Sequence, residues 1–223
     1  MDHNIKQQQM ISSTFHEVER DISSPLRDFA LPIIKKIEEY IDISGVALFK
    51  EGKMVGNLPA TDVFYIMLTR KDIKDGTAQL VLPAELLNHS KNPPENLPED
   101  LPIAIDAINS KRKLEITDHN KNEIDLNIKL DCRLVEIHSS LSVGDKKITE
   151  KIEEEINKKM ESEIKRIIEY SQEVNSDIFG FGEHFYAQVR NSKLTEEKWR
   201  ELYPEMKVNV KVDTEIIRNG VTE

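Results

Sequence analysis

The sequence predicts an α+β fold, a mixed or antiparallel β-sheet packed against one long helix in the C-terminal half, with a smaller α/β unit ahead of it. Three observations carry this. Ile124, Leu126, Ile128, Leu130, Cys132 and Leu134 alternate with Asp125, Asn127, Lys129, Asp131 and Arg133, the period of a strand with one wet face. Ile148, Ile152, Ile156, Met160, Ile164, Ile167 and Ile168 repeat every three to four residues within 145–173, the period of a helix with one apolar stripe. Val208, Val210, Val212, Thr214 and Ile216 alternate again. Strands with one apolar face need cover, and a long helix between them supplies it.

The elements follow in order. Residues 1–42 read as a helical segment punctuated by Pro25 and Pro32, with Ile33, Ile34, Ile37 and Ile41 at helical spacing. Residues 43–90 read as a small α/β domain. Val46 and Leu48 lead into a Lys50–Lys53 turn in which Gly52 can take positive φ, and Met54-Val55 returns as a hairpin. Pro59 to Asp62 opens a short helix carrying Val63, Phe64, Met67 and Leu68, and Ala78, Leu80 and Leu82 alternate as a strand. Asn88 to Asp100 holds Pro93, Pro94 and Pro98 and reads as a linker. Residues 101–223 form the C-terminal domain. There the alternation slips phase at Leu134-Val135, the mark of a β-bulge, and Val135 and Ile137 take over the apolar face. Glu154–Lys158, Glu155–Lys159 and Glu161–Lys165 are spaced for i,i+4 pairs on the long helix, each worth roughly 0.2–0.5 kcal/mol. Thr195 N-caps a helix holding Trp199, which Tyr203-Pro204 ends.

Composition excludes several functions. A net charge of −10 over 223 residues argues against nucleic acid as a partner, which needs clustered Lys and Arg. No apolar run approaches the ~20 residues that span a bilayer. Met1 to Met10 is polar and Gln-rich, without a signal-peptide apolar region. Cys132 is the single cysteine; it lies on the apolar side of its strand, where burial makes a thiol inert. The six histidines show no ligand pair, so neither a metal nor a cofactor is expected. With no nucleophile elbow, P-loop or paired-carboxylate motif, no catalytic residue is assigned and the chain is read as a non-enzyme.

One segment stands apart, Ser176-Asp177-Ile178-Phe179-Gly180-Phe181-Gly182-Glu183-His184-Phe185. Gly180-Phe181-Gly182 invites a phosphate-loop reading, but it follows a helix rather than a strand, and Phe185 stands where a third glycine would sit. The better reading is a close-packed joint. Asp177 or Ser176 caps a second helix, the two glycines allow close backbone approach, and Phe179, Phe181 and Phe185 fill the contact near Trp199. Interior helix glycines cost about 1 kcal/mol each, which such packing must return. The same set, Asp177, Phe179, Gly180, Phe181, Gly182, Glu183, Phe185 and Trp199, can alternatively form a partner surface, and Phe179, Phe181, Phe185 and Trp199 can line an aromatic ligand pocket.

In order along the chain, the Ile43–Gly56 hairpin, the Glu/Lys-rich helix running into Asn175–Glu183, the Trp199 helix, the Tyr203-Pro204 break and the ending Ile216-Ile217-Arg218-Asn219-Gly220 resemble the C-terminal region of the Ger(x)C family, the C subunits of bacterial spore germinant receptors. Residues 14–40 resemble the end of that family's preceding region. The resemblance implies a non-enzymatic, membrane-associated lipoprotein subunit, tethered by an N-terminal lipid to the outer face of the spore inner membrane. Its partners would be the receptor's integral-membrane subunits, and it would serve assembly or signal transmission in nutrient-triggered germination. The alternative is a nutrient-binding module. This chain departs from the pattern at its N-terminus, where signal peptide, lipobox cysteine and first domain are not found, and Cys132 is mid-chain. The expectation is a shortened soluble form of such a subunit.

Overall fold

A computed structural model describes residues 15–37, 40–89, 93, 95–118, 122–137, 145–189 and 194–217. Among the described residues the first element is helix α1 (Phe15–Ser23), followed by β1 (Ala30–Ile37), β2 (Tyr40–Lys50) and β3 (Lys53–Pro59). A 3-10 turn leads into α2 (Val63–Arg70), then come β4 (Gly76–Leu82), β5 (Leu101–Asp118) and β6 (Glu123–Glu136). The last third holds α3 (Lys146–Glu173), α4 (Phe181–Gln188), α5 (Glu196–Leu202) and β7 (Lys207–Ile216).

The strands make two sheets, β1-β2-β3 and β4-β5-β6-β7. All neighbours are antiparallel except β6 and β7, which run parallel. A parallel pair needs a crossover, and α3 to α5 supply it. The α+β expectation holds. The helical reading of 1–42 falls partly outside the described residues, at 1–14 and 38–39; within them it holds at α1 and not after it, since Ile33, Ile34 and Ile37 lie on β1 and Ile41 on β2. Their spacing is that of a helix face, but β-branched isoleucines favour the strand once β2 offers hydrogen bonds. The expected domain boundaries fall within sheets, since residues 42 and 43 lie inside β2 and β4 pairs with β5 across the Asn88–Asp100 linker. Of the linker itself, residues 90–92 and 94 lie outside the described residues.

The β2–β3 hairpin turns as expected at Gly52, φ 76°. The bulge near Leu134 is present, because Ala104 faces Glu136 while Ile105 faces Leu134, leaving Val135 unopposed. Val135 is 59% exposed, however, so it leaves the apolar face rather than taking it over. The α3 stripe is buried throughout, together with the inward residues of β4, β5 and β6, and one continuous apolar cluster runs from Leu26 to Ile216. The helix carries Lys146–Glu150, Lys159–Glu163 and Lys165–Glu169 pairs rather than the three expected, with Lys158 turned to Glu155 one turn back.

Sheet edges expose unpaired backbone groups and must be blocked. Along β7 the block is α3: Oε1 of Glu161, Oδ1 of Asn157 and Oε1 of Glu153 accept the N–H groups of Val212, Thr214 and Ile216 at 2.9, 2.9 and 2.8 Å. Where β5 runs past β4, Asp72 accepts the N–H of Arg112, Ile73 O that of Ser110, and the Gln188 amide pairs with Ile116 N–H and Leu114 C=O.

Candidate functional site

The segment singled out in the sequence sits where α3 ends, α4 and α5 begin, and both sheets approach. Helix α3 stops at a left-handed Asn175, φ 50°, whose side-chain N–H donates to Arg200 O at 2.8 Å. Ser176, fully buried, donates to Phe49 O at the end of β2. Asp177 is fully buried and takes three main-chain N–H groups, Gly180 and Phe181 on Oδ1 at 2.9 and 3.1 Å and Gly182 on Oδ2 at 2.9 Å. These are orphan donors at the start of α4, so Asp177 does the capping from three residues before the formal N-cap, Gly180. Gly180 holds φ 75°, a conformation open to glycine.

Asp177 is also tied to a residue 149 positions away. Its N–H donates to Oδ2 of Asp28 at 2.8 Å, and its carbonyl accepts the Asp28 N–H at 2.9 Å. Arg200 forks onto the Asp28 carboxylate with both terminal nitrogens, a charge-assisted pair of strong geometry. Burial pushes the Asp177 carboxyl up to about 6; the three N–H donors oppose the rise and the Asp28 charge adds to it. Tyr203 is pushed well above the usual phenol range by burial and the Asp177 charge, and its hydroxyl meets Ser171 Oγ.

The aromatic groups pack on one another. Phe179 and Phe181 stack with centroids 5.4 Å apart, Phe181 leans on Tyr203 at 6.5 Å, and Trp199 bridges Phe185 and Tyr203 at 6.3 and 5.4 Å. Each of these rings is at most 5% exposed. Gly182 lies so close beneath them that a Cβ there would come within 2.5 Å of Leu26 O and 2.6 Å of the Trp199 ring. Glu183 reaches outward, accepting from Ser24 Oγ at 2.8 Å and Arg27 Nη1 at 3.2 Å.

The structure thus gathers all eight singled-out residues, seven in the interior and Glu183 at its rim. Sequence reasoning missed Asp28 and Arg200, which complete the Asp177 network. Neither lies in a local pattern, since an ion pair across 172 positions leaves no periodic signal. Cys132 is fully buried, and burial pushes its thiol up to about 12, the inert setting expected. His184 accepts from Arg112 through Nε2 at 2.8 Å, and burial and that arginine lower its pKa. Among the described residues no helix is long and apolar enough to cross a membrane.

Residues 44–220 match a family model described as spore germination B3/GerAC like, C-terminal. The chain is 25% identical over 198 residues to spore germination protein GerQC from Bacillus cereus, a match covering 88% of this chain and 51% of that protein. It therefore spans about half the length of this curated relative. The crystal structure of the GerBC protein superposes with a TM-score of 0.69 at 18% identity, covering 86% of this chain and 57% of the other, a likeness of fold.

Proposed function

Because this chain belongs to the spore germination B3/GerAC-like, C-terminal family, we propose that it acts as a non-enzymatic part of a spore germinant receptor, needed to assemble the receptor or pass on its signal. Its partners are integral-membrane receptor subunits at the outer face of the spore inner membrane, and attachment is through an N-terminal lipid on the full-length lipoprotein. The observation that carries the reading is the family match across 44–220, which includes the whole Asp177–Phe185 joint. The joint supports it physically. Ser176 holds the end of β2, Asp177 holds the segment after α1, and Asn175 holds α5. Three elements are thus tied to one short segment by buried and part-buried hydrogen bonds, which suits a relay between subunits. The Phe179, Phe181, Phe185 and Trp199 rings fill one another's space, which favours an interaction subunit over a nutrient pocket at that place.

Spores lacking this protein provide the test. Co-purification of the membrane subunits and nutrient-triggered germination should both fail in its absence and return with the full-length lipidated form. Intact subunit assembly together with normal germination in its absence rejects the reading. Calorimetry with amino acids, sugars and nucleosides should be silent, and saturable heat with any of them would favour the nutrient-binding alternative.

A further inference from the structure

A chain with ten net negative charges gathers four guanidinium groups at one place. They come from Arg20 on α1, Arg27 in the segment after it, Arg70 at the end of α2 and Arg112 on β5. Asp21, 3% exposed, serves three of them, at 2.7 Å from Arg20, 3.4 Å from Arg27 and 3.0 Å from Arg70. Glu183 serves Arg27 at 3.2 Å. Arg112 gives its guanidinium donors to Thr69 O at 2.6 Å and to His184 Nε2 at 2.8 Å, while Asp72 accepts only from its main-chain N–H. Two carboxylates, Asp21 and Glu183, thus pair with three of the four cationic side chains and neither pairs with Arg112, while the charges of Glu17 and Asp72 act on the cluster from farther off. Burial and Arg27 lower the pKa of both Arg70 and Arg112, with Asp21 and Glu17 opposing the shift at Arg70 and Asp72 opposing it at Arg112.

Two donors in the cluster are poorly served. Nη1 of Arg70 is buried without a hydrogen-bond partner, and Nε of Arg27 is buried with only the 3.4 Å ion-pair contact to Asp21 Oδ1, on side chains 10% and 13% exposed. Buried charged donors are seldom left this way, and a water or an ion is the usual partner. Because His184 Nε2 accepts from Arg112, the neutral imidazole carries its proton on Nδ1. Arg20 and Glu183, with side chains 58% and 39% exposed, open the cluster to solvent.

We propose that Arg27, Arg70 and Arg112, with His184 beside them, form a binding site for an oxyanion of the phosphate class. Planar guanidinium forks match the oxygen spacing of such a group, which lysines do not. The buried Arg70 Nη1, free of any hydrogen-bond partner, and the poorly served Arg27 Nε offer an anion its donors, and Asp21 and Glu183 orient the forks. The shared chemistry is a tetrahedral oxyanion, whether free phosphate or a phosphate ester.

Isothermal titration of the full chain at constant ionic strength tests this, with inorganic phosphate, phenyl phosphate and acetate as probes. Phosphate is expected to bind one to one, with acetate at least tenfold weaker. Arg112→Gln should weaken phosphate binding at least tenfold, and Arg112→Lys, which keeps charge but loses the fork, should weaken it severalfold. Lys151→Gln, at the distant His89 contact, should leave it unchanged. Equal binding of phenyl phosphate assigns the site to esters as well, and its exclusion assigns it to the free ion; either supports the site. The proposal fails if phosphate gives no saturable heat, if acetate binds equally, or if affinity is indifferent to Arg112, which would mean an adventitious ion only. If Arg112→Gln does not fold, the Lys variant and the wild-type unfolding midpoint decide: a midpoint that phosphate does not raise at constant ionic strength overturns the proposal.

Discussion

Asp177 and Gly182 are where single side chains decide most. A methyl group at Gly182 would overlap the Leu26 carbonyl and the Trp199 indole, and an overpacked core typically loses about 1–3 kcal/mol. Gly182→Val should therefore lower stability by at least that much in urea unfolding, and an unchanged midpoint would show the joint to be looser than drawn. Gly180→Ala places a side chain at φ 75° and should cost about 1–2 kcal/mol. Asp177 makes a pH prediction. Its folded-state value, raised from 3.8 to about 6, lies above its unfolded value, so the native chain holds more protons between those limits. The stability it contributes is full below about pH 4 and is lost as pH rises through about 6. Asp177→Asn should flatten that part of the stability–pH curve while losing acceptors for the start of α4; equal slopes for both proteins would refute the assignment.

The elements show which signals a sequence carries. Removing an acceptor from the α3–β7 contact should bare one N–H of an edge strand, at about 1–3 kcal/mol. Asn157→Ala is thus expected to lower stability and to speed amide exchange at Thr214 above its neighbours, and uniform exchange along β7 would count against it. The strands β4, β6 and β7 and helix α3 were legible because each has one wet and one dry face, and burial writes that difference into the period. Ile33, Ile34, Ile37 and Ile41 are spaced for a helix face, whereas the strands they lie on carry little burial of either period at these positions. Ile34 and Ile41 are 50% and 71% exposed. The eight motif residues were legible through two glycines among aromatics, a costly pattern that implies a close contact. Asp28 and Arg200 were not, because their pairing is a property of the folded chain alone. The exposed stretch should also be tolerant: Ile41→Lys is expected to shift stability by no more than about 0.5 kcal/mol, and a large loss would mean that it is covered in solution.

Across the whole molecule, the apolar stripe of α3 hides an ambiguity. Ile148, Ile152, Ile156, Met160, Ile164 and Ile168 recur every four residues, so a helix slid by one such step would present nearly the same stripe to the core. Hydrophobic packing alone is close to blind to that slip. The polar residues beside the stripe are not. Acceptors spaced four residues apart rise about 6.0 Å along a helix, and outward N–H groups two residues apart rise about 6.6 Å along a strand. The two scales run nearly in step over Glu161, Asn157 and Glu153, like a vernier read at one mark. Continuing the four-residue spacing reaches Lys165, and moving it opposite Val212 would set donor against donor. These three side chains therefore do more than shield an edge: they index the helix, selecting one position from a row that its oily side would treat as equivalent.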